Sequence, residues 1–247
     1  MFTPEERVRV RERVLALARA DDRISGGAVT GSAAVGGEDR WSDIDLSFGV
    51  ADGIDPGSVL TDWTELLTGE LGTLHHWDLH HGPTIYRVFL LPGGLELDVA
   101  VTPEAEFGAR GPKFQLLFGR NVERPAAPPP PVDEVIGPGW LYVLTARTAI
   151  ARDKVWAAEY WISGVRDQAL VLACLRLGEP TAYARGIDRL PDELVEPFEQ
   201  ALVRSLDPTE LRRALRIVRD LFLDEVSKVD AELAERLRAP LADAVQA

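Results

Sequence analysis

The chain has 247 residues, 46% of them hydrophobic and 27% charged, with a formal net charge of −13, a length that suits one large globular domain or two modest ones. The negative balance argues against broad binding to nucleic acid, whose phosphates reward clustered Lys and Arg; it would draw cationic small molecules to the surface, although an acidic surface also serves solubility alone. Cys174 is the only cysteine, which excludes an intrachain disulfide and a thiolate zinc site. No apolar run has membrane-spanning length, and the charged start MFTPEERVRVRERVLALARA lacks the basic-then-apolar order of a secretory signal, so a cytoplasmic protein without a membrane partner is expected.

Taken in chain order, residues 4–20 place Val8, Val10, Val14, Leu15, Leu17 and Ala18 between charged residues, a pattern that predicts a helix. The segment DDRISGGAVTGS runs through a short apolar piece into Gly31-Ser32, and DIDLSFGV alternates until the turn signals ADGIDPGS. Residues 57–71 read as a second helix. All four histidines, His75, His76, His80 and His81, fall in HHWDLHH; their spacing fits no common zinc motif, and a strand or loop flanking a cleft is expected instead. TIYRVFLL, the turn PGG and LELDVAVT read as a β-hairpin.

Residues 123–139, ERPAAPPPPVDEVIGPG, hold four consecutive prolines, which favour extended polyproline over helix and mark a linker. Helical periodicity then covers residues 140–178 and 192–245, with Asp207-Pro208-Thr209-Glu210 as a start signal and Cys174 packed as a small apolar residue. The fold class expected is α+β: a mixed sheet-and-helix domain over residues 1–124, a Pro-rich linker over 125–139 and an all-helical domain over 140–247.

The chemistry concentrates in VTGSAAVGGEDRWSDIDLSF, residues 29–48. Alternate residues of a strand share a face, so Asp43 and Asp45 point one way and Ile44, Leu46 and Phe48 the other. The arm LELDVAV repeats the arrangement, with Glu96 and Asp98 opposite Leu95, Leu97, Val99 and Val101. If the two strands are neighbours, three or four carboxylates converge, a cluster that raises its own pKa values unless cations are bound. Oxygen-only ligands suit Mg²⁺. Gly31 allows a close backbone approach to a ligand, and Ser32 is expected to cap a short helix over SAAVGG whose N-terminus would favour an anion.

Gly-Ser, a spacer of this length, Asp-x-Asp on a strand and a further carboxylate on a later strand resemble the signature of the DNA polymerase β-like nucleotidyltransferases. The nearest likeness is to the bacterial enzymes that modify aminoglycosides and lincosamides. VWAAEYWISGVRDQALVLACLRLG and YARGIDRLPDEL are similar, more loosely, to the helical domain of the aminoglycoside adenylyltransferases, whereas residues 51–83 match no part of the pattern.

The resemblance implies transfer of a nucleoside monophosphate from an NTP, ATP foremost, to a hydroxyl of a small molecule, with release of pyrophosphate. It implies two Mg²⁺ ions, with Asp43, Asp45 and Asp98 as ligands and Gly31 and Ser32 at the triphosphate. Arg40 and Trp41, just ahead of the Asp pair, are placed to touch phosphate or base, with an ordinary loop contact as the alternative. The general base is left open between Asp98, Glu96 and Glu159, the last matching an acidic position of the helical domain, with a helix-surface salt bridge as its structural alternative. Trp156, Tyr160 and Trp161 recur at helical spacing, as core or as an aromatic lining for a sugar. Arg166 and Asp167 meet either the nucleotide or each other. The expected partners are the NTP and a small hydroxyl acceptor, without stable nucleic-acid binding, in a monomer or homodimer. Two other functions compete: an antitoxin-like enzyme that modifies a protein or tRNA, and a nucleotide-binding protein without chemistry.

Overall fold

Thr3 opens the first helix with a reciprocal cap: its side chain accepts from the Glu6 N–H while the Glu6 carboxylate accepts from the Thr3 N–H, and Pro4 occupies the first turn. Two of the orphan donors of the helix end are thereby satisfied. The computed structural model describes residues 1–125 and 128–246, with side chains through residue 242. They form two compact units that divide between residues 127 and 128.

In the first unit α1 (Pro4–Ala20) is followed by β1 (Ile24–Thr30), β2 (Ile44–Val50), α2 (Pro56–Leu71), β3 (His75–His81), β4 (Thr84–Leu91), β5 (Leu95–Pro103) and β6 (Phe114–Gly119). The strands make one mixed sheet in the order β3-β4-β5-β2-β1-β6. β2 and β5 run parallel and the other neighbours antiparallel. Val14, Leu15 and Ala18 of α1 and Val59, Leu60, Trp63 and Leu67 of α2 close one core with Ile44, Leu46, Phe48, Leu97, Val99, Val101 and Phe89. Both helices therefore cover the same face of the sheet, the one to which the even-numbered residues of β2 and the odd-numbered residues of β5 point. The expected hairpin is β4–β5, and β6 is a strand for which the sequence reading had no element.

The second unit is helical: α3 (Val132–Ala151), α4 (Val155–Leu177), α5 (Asp192–Gln200), α6 (Pro208–Val229) and α7 (Ala231–Gln246). Val143, Ala146, Ile162, Val165, Leu172, Leu215, Val218 and Phe222 lie in its core, with Cys174 buried among them. As expected, Asp207 caps α6, its carboxylate accepting from the Thr209 N–H.

Two expectations are corrected here. The helix begins at Val132, inside the segment read as a linker over 125–139, and Pro138 lies within it. An interior proline costs about 3 kcal/mol. Burial of Val135, Ile136 and Val143 offsets that at about 1.5–3 kcal/mol each, so packing overrides the local breaker. Residues 126–127 of the same segment, and Ala247 at the end of the helical range, lie outside the described residues. The periodicity over 140–178 also belongs to two helices, because the chain breaks at Arg152-Asp153-Lys154, where Asp153 has φ 55°. Among the described residues no helix is long and apolar enough to cross a membrane.

Candidate active site

The parallel pairing of β2 and β5 sets Asp45 directly beside Asp98, Ile44 beside Leu97 and Leu46 beside Val99. Neighbouring strands lie about 4.8 Å apart, so the two carboxylates share the face of the sheet that the helices leave uncovered. Glu96 stands two residues along the same face of β5. Asp43 immediately precedes β2 rather than lying inside it.

The electrostatics record this convergence. Asp98 is pushed up to about 7, first by burial and then by the negative charges of Glu96, Asp45 and Asp43. Desolvation and like charge both disfavour the ionised form. Its Oδ1 atom is buried without a hydrogen-bond partner, and an orphaned buried carboxylate oxygen is costly unless a cation or proton joins it.

Gly31 immediately follows β1, on the other side of Asp45. Its φ is +64°, and a Cβ there would overlap the Asp45 carboxylate. Glycine is required twice at this position, for the left-handed backbone and for the space. The expected helix after it is corrected: Ala33–Val35 is a three-residue 3₁₀ turn, and the Ser32 side chain makes no cap hydrogen bond. A single turn aligns too few peptides to create a useful dipole. The loop is held by its own backbone instead, the Val35 and Gly37 N–H groups donating to the Ser32 carbonyl.

The spacer from Gly36 to Ser42 is tied down by a residue the sequence reading overlooked. Arg7 is 5% exposed, and its Nη1 donates to the carbonyls of Asp39 (2.5 Å) and Ser42 (3.0 Å). Its Nε stands 3.2 Å from the Glu38 carboxylate, which also meets Arg11 at 2.8 Å. Asp39 accepts from the Trp41 N–H, which with the Ser42 contacts holds its carboxyl below the usual range. Arg7 thus fixes the residue before Asp43. In the sequence it reads as one more polar residue of an amphipathic helix, and only the long-range hydrogen bonds reveal it. Arg40 is exposed and its guanidinium stacks on Trp41 at 4.1 Å.

Glu159, on α4, accepts from the Ser163 hydroxyl at 2.8 Å and makes no ion pair among the described residues, so the salt bridge considered for it is not formed. Trp156 and Tyr160 are exposed at 74% and 66%, which corrects their reading as core, while Trp161 packs on Tyr142 at 4.9 Å between ring centroids. Arg166 and Asp167 pair with each other at 3.3 Å. His75, His76, His80 and His81 lie on the edge strand β3, all exposed.

Among the described residues no three His, Cys, Asp or Glu side chains stand together so as to enclose a metal ion. Mg²⁺ makes no such demand, since it keeps several waters and uses one or two carboxylates together with substrate phosphates. The oxygen-only donor set, the in-register pair Asp45 and Asp98 and the orphaned Asp98 Oδ1 fit that ion.

No family model matches the chain, and no curated protein matches it. Among solved structures it is similar to the crystal structure of an aminoglycoside 6-adenyltransferase from Bacillus subtilis, at 14% identity over 99% of each chain and a TM-score of 0.43.

Proposed function

We propose that the protein is a nucleotidyltransferase of the polymerase β-like kind, moving a nucleoside monophosphate from an NTP, ATP foremost, to a hydroxyl of a small molecule. The observation that carries this reading is the registered pair Asp45–Asp98 with Gly31 seated against Asp45. It joins a carboxylate cluster to a backbone turn that accommodates no side chain, the two parts a metal-bound triphosphate requires.

Asp43, Asp45 and Asp98 would hold Mg²⁺, as two ions when fully loaded. Bound there, Mg²⁺ would supply positive charge to offset that of the phosphates and of the entering and leaving oxygens. The Gly31-Ser32 turn orients the triphosphate by close backbone approach. The acceptor oxygen forms a bond to the α-phosphorus, the bond from that phosphorus to the bridging oxygen breaks, and pyrophosphate leaves with the electron pair. The acceptor proton passes to a carboxylate. Asp98 serves as that base when a single ion is held by Asp43 and Asp45, which leaves its own carboxylate off the metal; Glu96, on the same strand face, is the alternative. The net charge of −13 supports a cationic acceptor, an aminoglycoside-type antibiotic among them.

The test is incubation of the purified chain with Mg²⁺ and each of the four NTPs, with and without a panel of aminoglycosides and lincosamides. Acceptor-dependent pyrophosphate release, a product heavier by one nucleoside monophosphate, and loss of both in Asp45→Asn are expected. Absence of Mg²⁺-dependent NTP binding would overturn the reading.

A further inference from the structure

The strand order divides the open face of the sheet into two flanks. On one side of Asp45 lie β1 and the Gly31-Ser32 turn, and on the other lie β5, β4 and β3 in that order. An in-line displacement brings the acceptor to the side of the phosphorus opposite the departing pyrophosphate. With the triphosphate held at Gly31-Ser32, the acceptor belongs to the β5–β4–β3 flank.

Pairing across that flank is continuous. Asp98 stands beside Val88, and Val88 beside Trp77; one step along the strands, Glu96 stands beside Leu90. These side chains share the face opposite the helices, since Arg87 and Asp78, their neighbours in β4 and β3, turn the other way, Arg87 reaching the Leu60 carbonyl and the Thr64 hydroxyl on α2. Trp77 is 54% exposed, and Leu79 and Leu90 are 45% exposed. Large apolar side chains grouped on an open sheet face beside a carboxylate cluster mark a binding surface. From Asp98 to Trp77 is two strand spacings, about 10 Å.

We propose that this flank is the acceptor subsite and that Trp77 determines specificity, receiving the distal ring of a cationic, multi-ring polyol whose reacting hydroxyl lies over Asp98. Three features select that class. The indole face attracts an ammonium group, Glu96 offers a second carboxylate two residues from Asp98 on the same strand face, and the span exceeds a single sugar ring. The inference rests on the nucleotidyl-transfer reading given above.

Kanamycin serves as the probe, titrated into the full chain labelled at its indole nitrogens, with the Trp77 resonance assigned by Trp77→Phe. The Trp77 resonance is expected to move, and Trp77→Ala to weaken binding about tenfold, with Trp77→Phe in between. An unmoved resonance, or Trp77→Ala binding within about twofold of wild type, would overturn the proposal. Sedimentation of the same proteins tests a second copy as occupant: a wild-type dimer that Trp77→Ala dissolves would also overturn it. Mg-ATP binding to the unmodified chain, with Asp45→Asn as control, reports on the transfer reading separately, so the two can fail independently.

Discussion

Gly31→Ala separates two costs that one glycine conceals. At φ +64° a residue with a Cβ sits in left-handed backbone at a cost of about 1–2 kcal/mol. The new methyl would also overlap the Asp45 carboxylate, and because the nearest atoms all belong to that side chain, Asp45 is the group that must swing away. A charge-assisted interaction of that carboxylate is worth about 1.5–3 kcal/mol, so its removal should lower Mg-ATP affinity roughly tenfold to hundredfold. Gly82→Ala supplies the control, since Gly82 has φ +57° and nothing within 4 Å of where its Cβ would lie. Urea melts should show similar losses of stability in both variants. Calorimetric titration with Mg-ATP should show weaker binding in Gly31→Ala alone. Equal nucleotide affinity in the two variants would refute the claim that Gly31 sets the Asp45 ligand position.

Other outcomes follow from the same geometry. The folded state holds the Asp98 proton up to about pH 7, whereas an unfolded Asp releases it near pH ~3.9. The metal-free chain should therefore lose stability as pH rises from about 4 to about 7 and level off above; Asp98→Asn should flatten that slope in denaturant titrations with chelator, and an unchanged slope would count against the assignment. Arg7→Met strands the Asp39 and Ser42 carbonyls and should cost about 2 kcal/mol while weakening Mg-ATP binding. Arg13→Met, which breaks a surface pair with Glu70, should change stability little because solvent screens such pairs, and should leave binding alone. In the helical unit Glu225 is 3% exposed between Arg176 and Lys228. Arg176→Ala leaves that buried charge with one partner and should cost about 2–3 kcal/mol, more than Glu225→Gln, whose two cationic partners can turn to water; thermal melts that rank the pair the other way would refute this account.

The helices and the hairpin were legible in the sequence because their signals are local. Asp207 announces a helix start by chemistry contained within one turn, and the apolar alternation of β2 and β5 fixes which residues face the core. What stayed hidden depends on distant segments. Pro138 reads as a breaker until Val135, Ile136 and Val143 find their core, and the 3₁₀ turn after Ser32 differs from a helix only in how soon the chain turns at Gly36, where φ is 65°. β6 pairs with β1 through a register shift, and its sequence, FQLLFG, has no clean alternation to distinguish it from loop. Arg7 acts across more than thirty residues of sequence, a separation at which no spacing rule operates.

The candidate site itself was half legible, for a physical reason. Each acidic strand could be recognised alone, because the alternation that buries Leu97 and Val99 turns Glu96 and Asp98 to the opposite face. Their meeting could not, since a parallel pair requires a crossover, here through α2, β3 and β4, and no local rule sets its register. A slip by one residue would carry Asp98 to the helix face, among Leu46 and Phe48, where an ionised carboxylate would be untenable. The core therefore enforces the register that the chemistry uses. Packing of Ile44, Leu46 and Phe48 with Leu97, Val99 and Val101 on one face compels Asp45 and Asp98 to stand side by side on the other, a repulsive arrangement that the apolar face stabilises until a cation relieves it.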